Sequence, residues 1–229
     1  MPDITVRAKD GGQFPAYLAT PAGKGPGIVV IQEIFGVNPW IRQVADRYAA
    51  AGYVAMAPDL FWRITPGIQL TDKGDDFQKA LGLMQKLDQD RAVDDIAATI
   101  DALRANPACT GKVGAVGYCL GGRLAYMTAT RTNIDASVGY YGVMIDALLG
   151  EAGKIAHPLL LHIAEKDGFV PPPVQARMKE GLKGNRHVTL ETYPDQDHAF
   201  ARDGGEHFDQ SAATLANDRT AAFFKQHLA

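Results

Sequence analysis

Gly117-Tyr118-Cys119-Leu120-Gly121-Gly122 joins an apolar run to a stretch that reads as a helix. A cysteine with glycine two positions away on either side marks a sharp strand-to-helix turn that lifts a nucleophile above a sheet. A side chain at either flanking position would collide with the neighbouring strand or helix, and glycine removes that side chain. The helix N-terminus beneath such a cysteine favours a thiolate and a developing oxyanion. The chemistry on offer is attack by the Cys119 thiolate on an electrophilic carbon. Taken alone, the motif fits a buried cysteine in a glycine-rich turn equally well.

Two further segments supply what a nucleophilic thiol needs. Leu159-Leu160-Leu161-His162-Ile163-Ala164 reads as a strand running into Glu165-Lys166-Asp167-Gly168-Phe169-Val170-Pro171, so Asp167 falls at a strand's carboxyl end. Val188-Thr189-Leu190-Glu191-Thr192-Tyr193 runs into Pro194-Asp195-Gln196-Asp197-His198-Ala199-Phe200, so His198 falls in the loop after the last strand. Nucleophile, acid and base follow one another in the chain order of the α/β-hydrolase fold. Coming from three strand ends, they can converge on one spot. The sequence therefore predicts a Cys119–His198–Asp167 triad. Plainer readings exist for each member: Asp167 as a turn cap with Glu165 as the acid, and His198 as a surface loop residue. His162, inside an apolar strand, reads as a satisfied core residue rather than a base.

Gln32-Glu33-Ile34-Phe35-Gly36 follows the first buried strand, where this fold supplies its second oxyanion donor, so the amides of Ile34 and Leu120 are the expected oxyanion hole. Glu33 is unexpected there. A carboxylate near a cysteine nucleophile disfavours the thiolate, although Glu33 also fits a solvated loop position.

The elements that must position these groups follow from the pattern. Residues 4–8 and 14–19 flank the turn Lys9-Asp10-Gly11-Gly12 as an antiparallel ribbon. Gly27-Ile28-Val29-Val30-Ile31-Gln32 has the continuous apolar character of a strand buried on both faces. Asn38-Pro39 opens a helix that stops at Gly52. Strands are expected over 53–57, 112–117, 136–141, 158–163 and 188–193. Helices are expected over 75–87, 92–105, 120–129, 174–182 and 207–227, and residues 60–72 read as a long loop carrying Trp62. Strands alternating with helices predict a single α/β domain over 1–229. It is an α/β-hydrolase fold with a mostly parallel twisted sheet of about seven to eight strands and helices on both faces. The active site then belongs at the carboxyl ends of the strands.

Composition narrows the function. Of the 229 residues, 46% are apolar and 21% charged, and the net charge is −3, which gives neither nucleic acid nor an anionic membrane a reason to bind. No apolar run reaches the roughly 20 residues of a membrane span. The opening Met1-Pro2-Asp3-Ile4-Thr5-Val6 lacks the basic and apolar regions of a secretory signal. Only Cys109 and Cys119 are present, which suits a reducing, cytoplasmic setting. His157 and His162 are separated by Pro158 and a strand, so no zinc spacing exists. The expectation is no metal, no cofactor and a monomer.

The chain resembles the dienelactone hydrolase (carboxymethylenebutenolidase) family over nearly its whole length. The resemblance is carried by Gln32-Glu33-Ile34-Phe35-Gly36, Ala57-Pro58-Asp59-Leu60, the cysteine elbow, Gly168 after Asp167, and His198-Ala199-Phe200-Ala201-Arg202. Most α/β-hydrolases carry serine at the elbow and lack the early glutamate. The resemblance implies that Glu33 keeps the resting thiol neutral and inward-facing. Substrate displaces Glu33, and Cys119 ionises and swings toward His198. A thioester then forms with loss of an enolate, and water hydrolyses it with His198 as base. A neutral resting thiol would also resist oxidation. The resemblance further implies a small carboxylated lactone held by two arginines, one of which matches Arg202. The other position is Phe77, Leu81 and Met84 replace aromatic residues, and Ala199 stands where serine is common. That leaves open a more apolar or larger ester, lined by Phe35, Trp62, Phe77 and Phe200, with Tyr118 beside the nucleophile.

Two other readings compete. One is a redox or ligand-binding protein that keeps the fold without turnover, against which the retention of all triad types argues. The other is a different acyl hydrolase such as a thioesterase or peptidase, and 229 residues leave no room for the covering domain usual in such peptidases. Steady ester turnover separates these readings.

Overall fold

The computed structural model describes residues 3–229, so Met1 and Pro2 of the segment tested for a secretory signal lie outside the described residues. The chain is an α/β protein, and among the described residues eight strands form one mostly parallel sheet in the order β1-β2-β4-β3-β5-β6-β7-β8. Two compact units divide it, residues 1–115 and 116–229.

In the first unit, β1 (Asp3–Arg7) and β2 (Gln13–Ala19) form the expected antiparallel ribbon, with Val6 opposite Phe14. Gly11 turns the ribbon at φ 91°, and the Asp10 carboxylate accepts from the Gly12 amide at 3.1 Å. β2 then pairs antiparallel with β4 (Val54–Pro58), which lies parallel to β3 (Gly25–Ile31). Ile28, Val29, Val30 and Ile31 are fully buried, as a strand covered on both faces requires. Helix α1 (Pro39–Ala50) begins as predicted, with the Asn38 side chain accepting from the Ile41 amide at 3.1 Å and proline in the first turn. Helices α2 (Asp75–Lys86) and α3 (Gln89–Ala105) follow. The latter starts three residues before the expected Ala92, because Asp88 accepts from the Asp90 and Arg91 amides. A cap governs where a helix begins more directly than the first apolar residue of its stripe.

Strand β5 (Cys109–Tyr118) starts earlier than the expected Lys112 and carries the chain into the second unit. There, α4 (Leu120–Arg131), β6 (Ala136–Tyr140), β7 (Leu159–Ala164), α5 (Pro172–Leu182), β8 (Val188–Tyr193) and α6 (Gln210–Leu228) alternate. β6, β7 and β8 are parallel, with Tyr140 beside His162 and His162 beside Glu191. Their carboxyl ends therefore share one edge. Helix α6 begins at Gln210 rather than His207, because Asp209 caps it through the Ala212 amide at 2.7 Å. A 3-10 segment, Ile145–Lys154, has no counterpart in the sequence expectations. Among the described residues no helix is long and apolar enough to cross a membrane.

Candidate active site

Backbone strain marks the site first. All five described non-glycine residues with positive φ follow strand ends: Cys119 after β5, Tyr141 and Met144 after β6, Asp195 and Ala199 after β8. Each such residue costs on the order of 1–3 kcal/mol and persists only where its surroundings hold it. Cys119 sits at φ 57°, ψ −115°, as the residue capping α4. Its amide donates to the Tyr140 carbonyl at 3.1 Å, and its own carbonyl accepts from Gly122 and Arg123. The turn leaves no room for a side chain at Gly117 or Gly122. A Cβ on Gly117 would lie 1.9 Å from the Gly121 carbonyl oxygen, and one on Gly122 would lie 2.6 Å from that of Tyr140. Gly117→Ala is therefore expected to force the elbow open, lowering the thermal midpoint by several degrees and removing activity together; unchanged activity in a purified, folded variant would contradict the elbow geometry.

Asp167 follows β7 and His198 follows β8, and the two side chains meet. Asp167 is buried, and its Oδ2 receives His198 Nδ1–H at 2.8 Å while its Oδ1 accepts from the Phe169 amide at 2.8 Å. Asp167 makes the turn-capping bond of the plainer reading and also holds the imidazole. Glu165 makes no such bond to His198 among those described; its carbonyl accepts from Gln175. The Asp197 carboxylate accepts from the His198 amide at 2.6 Å, fixing the loop that Asp195 and Ala199 bend. Tyr141 meets the His198 ring edge-to-face at 5.1 Å, and Phe169 does so at 4.8 Å.

Electrostatics tie His198 to Cys119. Burial works against a charged imidazole. The Cys119 charge, the hydrogen bonds to Asp167 and Cys119, and the Asp167 charge outweigh it, and the pKa is pushed up to about 10. His198 thus holds its second proton at neutral pH. With Nδ1 held by Asp167, Nε2 is the nitrogen left to exchange protons.

His162 is the satisfied core residue that the sequence suggested. The groups around it fix the direction of each of its bonds. Tyr140 Oη must donate to the Ala216 carbonyl or to Asn217 Oδ1, since neither can donate to it. Thr220 Oγ1 at 2.7 Å therefore donates to Tyr140, and accepts from His162 Nε2–H at 2.9 Å. His162 Nδ1 then accepts from Tyr193 Oη at 2.7 Å. A second proton on this ring would cost the bond that Tyr193 donates, and burial, helped by the Arg219 charge, pulls its pKa down to about 3. The folded value lies below the ordinary value of 6.5, so this contribution to stability is complete above pH 6.5 and is lost as pH falls toward 3. The thermal midpoint of the wild type is expected to fall across that window more steeply than that of His162→Gln; parallel slopes would exclude the ring as the source.

The remaining candidates divide between contact and scaffold. Glu33 and Ile34 are buried, and Gln32 anchors their segment by accepting from the Leu60 amide at 3.1 Å and donating to the Glu33 carbonyl. Leu120 opens α4, so its amide belongs to the first turn, which no carbonyl four residues back can reach. Phe35 and Phe77 pair at 6.4 Å. The 60–72 loop is stapled to the Phe35 segment by a Leu70-to-Phe35 backbone bond and by Asn38 donating to the Leu70 carbonyl. Trp62 is stacked on Phe14 at 5.8 Å, donates to Asp95 at 2.8 Å and lies under Arg63, so its ring braces the ribbon. Phe200 is fully buried between Tyr141 and Tyr193 and supports the His198 loop from beneath. Tyr118 is buried in a stack with Tyr140 at 4.8 Å. Arg202 donates its amide to the Ala199 carbonyl, and its side chain lies over Gly205. Phe169 and Tyr141, which flank the imidazole, are absent from the sequence expectations; the only local signal was an aromatic residue two positions after the acid.

Comparison with known proteins gives the family. Residues 14–228 match the model of the Dienelactone hydrolase family. A protein of Azospirillum brasilense is 52% identical over the full length of both chains. The Carboxymethylenebutenolidase of Pseudomonas putida is 40% identical, covering 96% of this chain and 94% of its own. A solved structure from Klebsiella pneumoniae subsp. pneumoniae superposes with a TM-score of 0.87 at 27% identity, covering 98% of each chain. The chain belongs to the dienelactone hydrolase family and is an ester hydrolase.

Proposed function

We propose that the chain is a cysteine-dependent hydrolase of small lactones or esters, resembling carboxymethylenebutenolidase, that works without a cofactor as a cytoplasmic monomer with residues 1–229 acting as one domain. The observation that carries the reading is the Asp167–His198 bond of 2.8 Å together with the charge coupling of His198 to a strained elbow cysteine. Cys119 Sγ attacks the carbonyl carbon, and the amides of Ile34 and Leu120 take the oxyanion. As the carbon–oxygen bond breaks, His198 Nε2 gives its proton to the leaving oxygen. Acylation removes the Cys119 charge that held His198 protonated. Burial, the strongest influence on that ring, then favours the neutral imidazole. Neutral His198 takes a proton from water, which attacks the thioester and releases the Cys119 thiolate. Glu33 acts before this cycle by keeping the unliganded thiol neutral.

Arg202 is the carboxylate-binding residue in this reading. Arg202→Ala is expected to raise KM for a carboxylated lactone by about tenfold relative to a neutral ester. Equal changes on both would remove that role. A second substrate class, a less acidic ester, is favoured by the Phe35–Phe77 pair, which is apolar at the position where a second arginine would hold a carboxylate. Steady-state hydrolysis of dienelactone beside p-nitrophenyl acetate, by wild type and Cys119→Ala, tests both. Cys119-dependent opening of the lactone supports the first. Cys119-dependent ester cleavage with little lactone activity supports the second, with Phe77 as the residue to change. Activity retained without Cys119 overturns the reading.

A further inference from the structure

We propose that Phe169 determines specificity on the leaving-group side, selecting esters whose alcohol portion is aromatic or otherwise apolar; the inference rests on the triad reading above. Among the described residues only Met144, Phe169 and Leu215 are large apolar side chains left exposed, and Phe169 is the most exposed, at 60%. A single exposed apolar side chain is ordinary on a protein surface; what sets Phe169 apart is its ring contact with His198. The ring does not lie in water by default of a loose loop. Its amide is held by Asp167 Oδ1 at 2.8 Å, the carboxylate that also holds His198. The next residue, Val170, is buried, and its carbonyl accepts from the Gln175 side chain at 2.7 Å. The same Gln175 amide reaches the carbonyls of Ala164 and Glu165 at 3.1 and 3.2 Å, so one buried side chain ties both ends of the turn. The turn is rigid, and it presents Phe169 edge-to-face with the His198 ring at 4.8 Å.

What meets Phe169 follows from the proton path. His198 Nε2 protonates the oxygen that departs, so the alcohol portion must lie beside the imidazole while the acyl portion stays on Cys119. An apolar alcohol resting there covers the exposed ring, whereas a methyl alcohol leaves it wet. Aromatic groups gain further from edge or offset packing against Phe169.

The test compares 1-naphthyl acetate with methyl acetate, which share an acyl group and therefore an acyl-enzyme. In Phe169→Ala the ratio of kcat/KM for the naphthyl to the methyl ester is expected to fall about tenfold, with Phe169→Leu intermediate. An unchanged ratio, whether both esters lose rate equally or neither does, would overturn the proposal and reduce Phe169 to a shield over the imidazole. Binding separates this outcome from failure of the triad reading. In Cys119→Ala, which cannot turn over, titrated 1-naphthol is expected to shift the NMR signals of Phe169 and His198, and the added Phe169→Ala change is expected to weaken that binding about tenfold. Equal naphthol affinity with and without the ring overturns the proposal, whatever the nucleophile proves to be.

Discussion

Cys119→Ala is expected to reduce turnover of every ester substrate by several orders of magnitude while leaving the fold intact. The thiol is the only group at the elbow that can form the covalent intermediate, and alanine loses only the sulfur. Its backbone strain remains, because alanine meets the same cost at φ 57°. The variant also reports on His198. The Cys119 charge and the Cys119 hydrogen bond are two of the influences that push that imidazole up to about 10, and both vanish. Burial and Asp167 are left in opposition, so the His198 pKa is expected to fall. Imidazole NMR across pH in wild type and variant measures this directly. A His198 titration that does not move would show that thiolate and imidazolium are not coupled.

Asp167→Asn is expected to lower kcat by about ten-thousand-fold, the scale seen when an orienting carboxylate of a triad becomes an amide. The structure gives a specific reason. Oδ1 at this position must keep accepting from the Phe169 amide, so asparagine orients its oxygen there and turns its NH2 toward His198 Nδ1. Nδ1 becomes an acceptor, the ring proton of the neutral imidazole moves to Nε2, and no lone pair faces the water that must be activated. Kinetics give the magnitude, and nitrogen-15 shifts of the imidazole give the tautomer. A loss within about tenfold would mean that Asp167 serves only its turn.

Much of this site was legible because its constraints are local. Gly117 and Gly122 are required by contacts four residues away and at the next strand end, and the strand-to-loop switches before Asp167 and His198 mark their own positions. Asn38 and Pro39 fixed the start of α1 for the same reason. Asp88 and Asp209 carried equally local information, yet the expected start of α3 fell after its cap and that of α6 before its cap. The 3-10 segment Ile145–Lys154 has no sustained period to read. What could not be read were partners far apart in sequence. Trp62 looks like a pocket aromatic until Asp95, 33 residues on, accepts its indole N–H. His162 shows itself as core by pattern, but Thr220, 58 residues on, fixes its tautomer. Phe169 is visible only when the imidazole beside it is in view.

The covalent role of Cys119 is most directly tested by rapid-quench mass spectrometry of the protein mixed with excess p-nitrophenyl acetate. One acetyl group on the peptide containing Cys119, formed and lost at rates that account for turnover, is the predicted result, with accumulation in His198→Ala if deacylation is the slower step. Full turnover with no acyl group on Cys119, or with the acyl group on another residue, would contradict it.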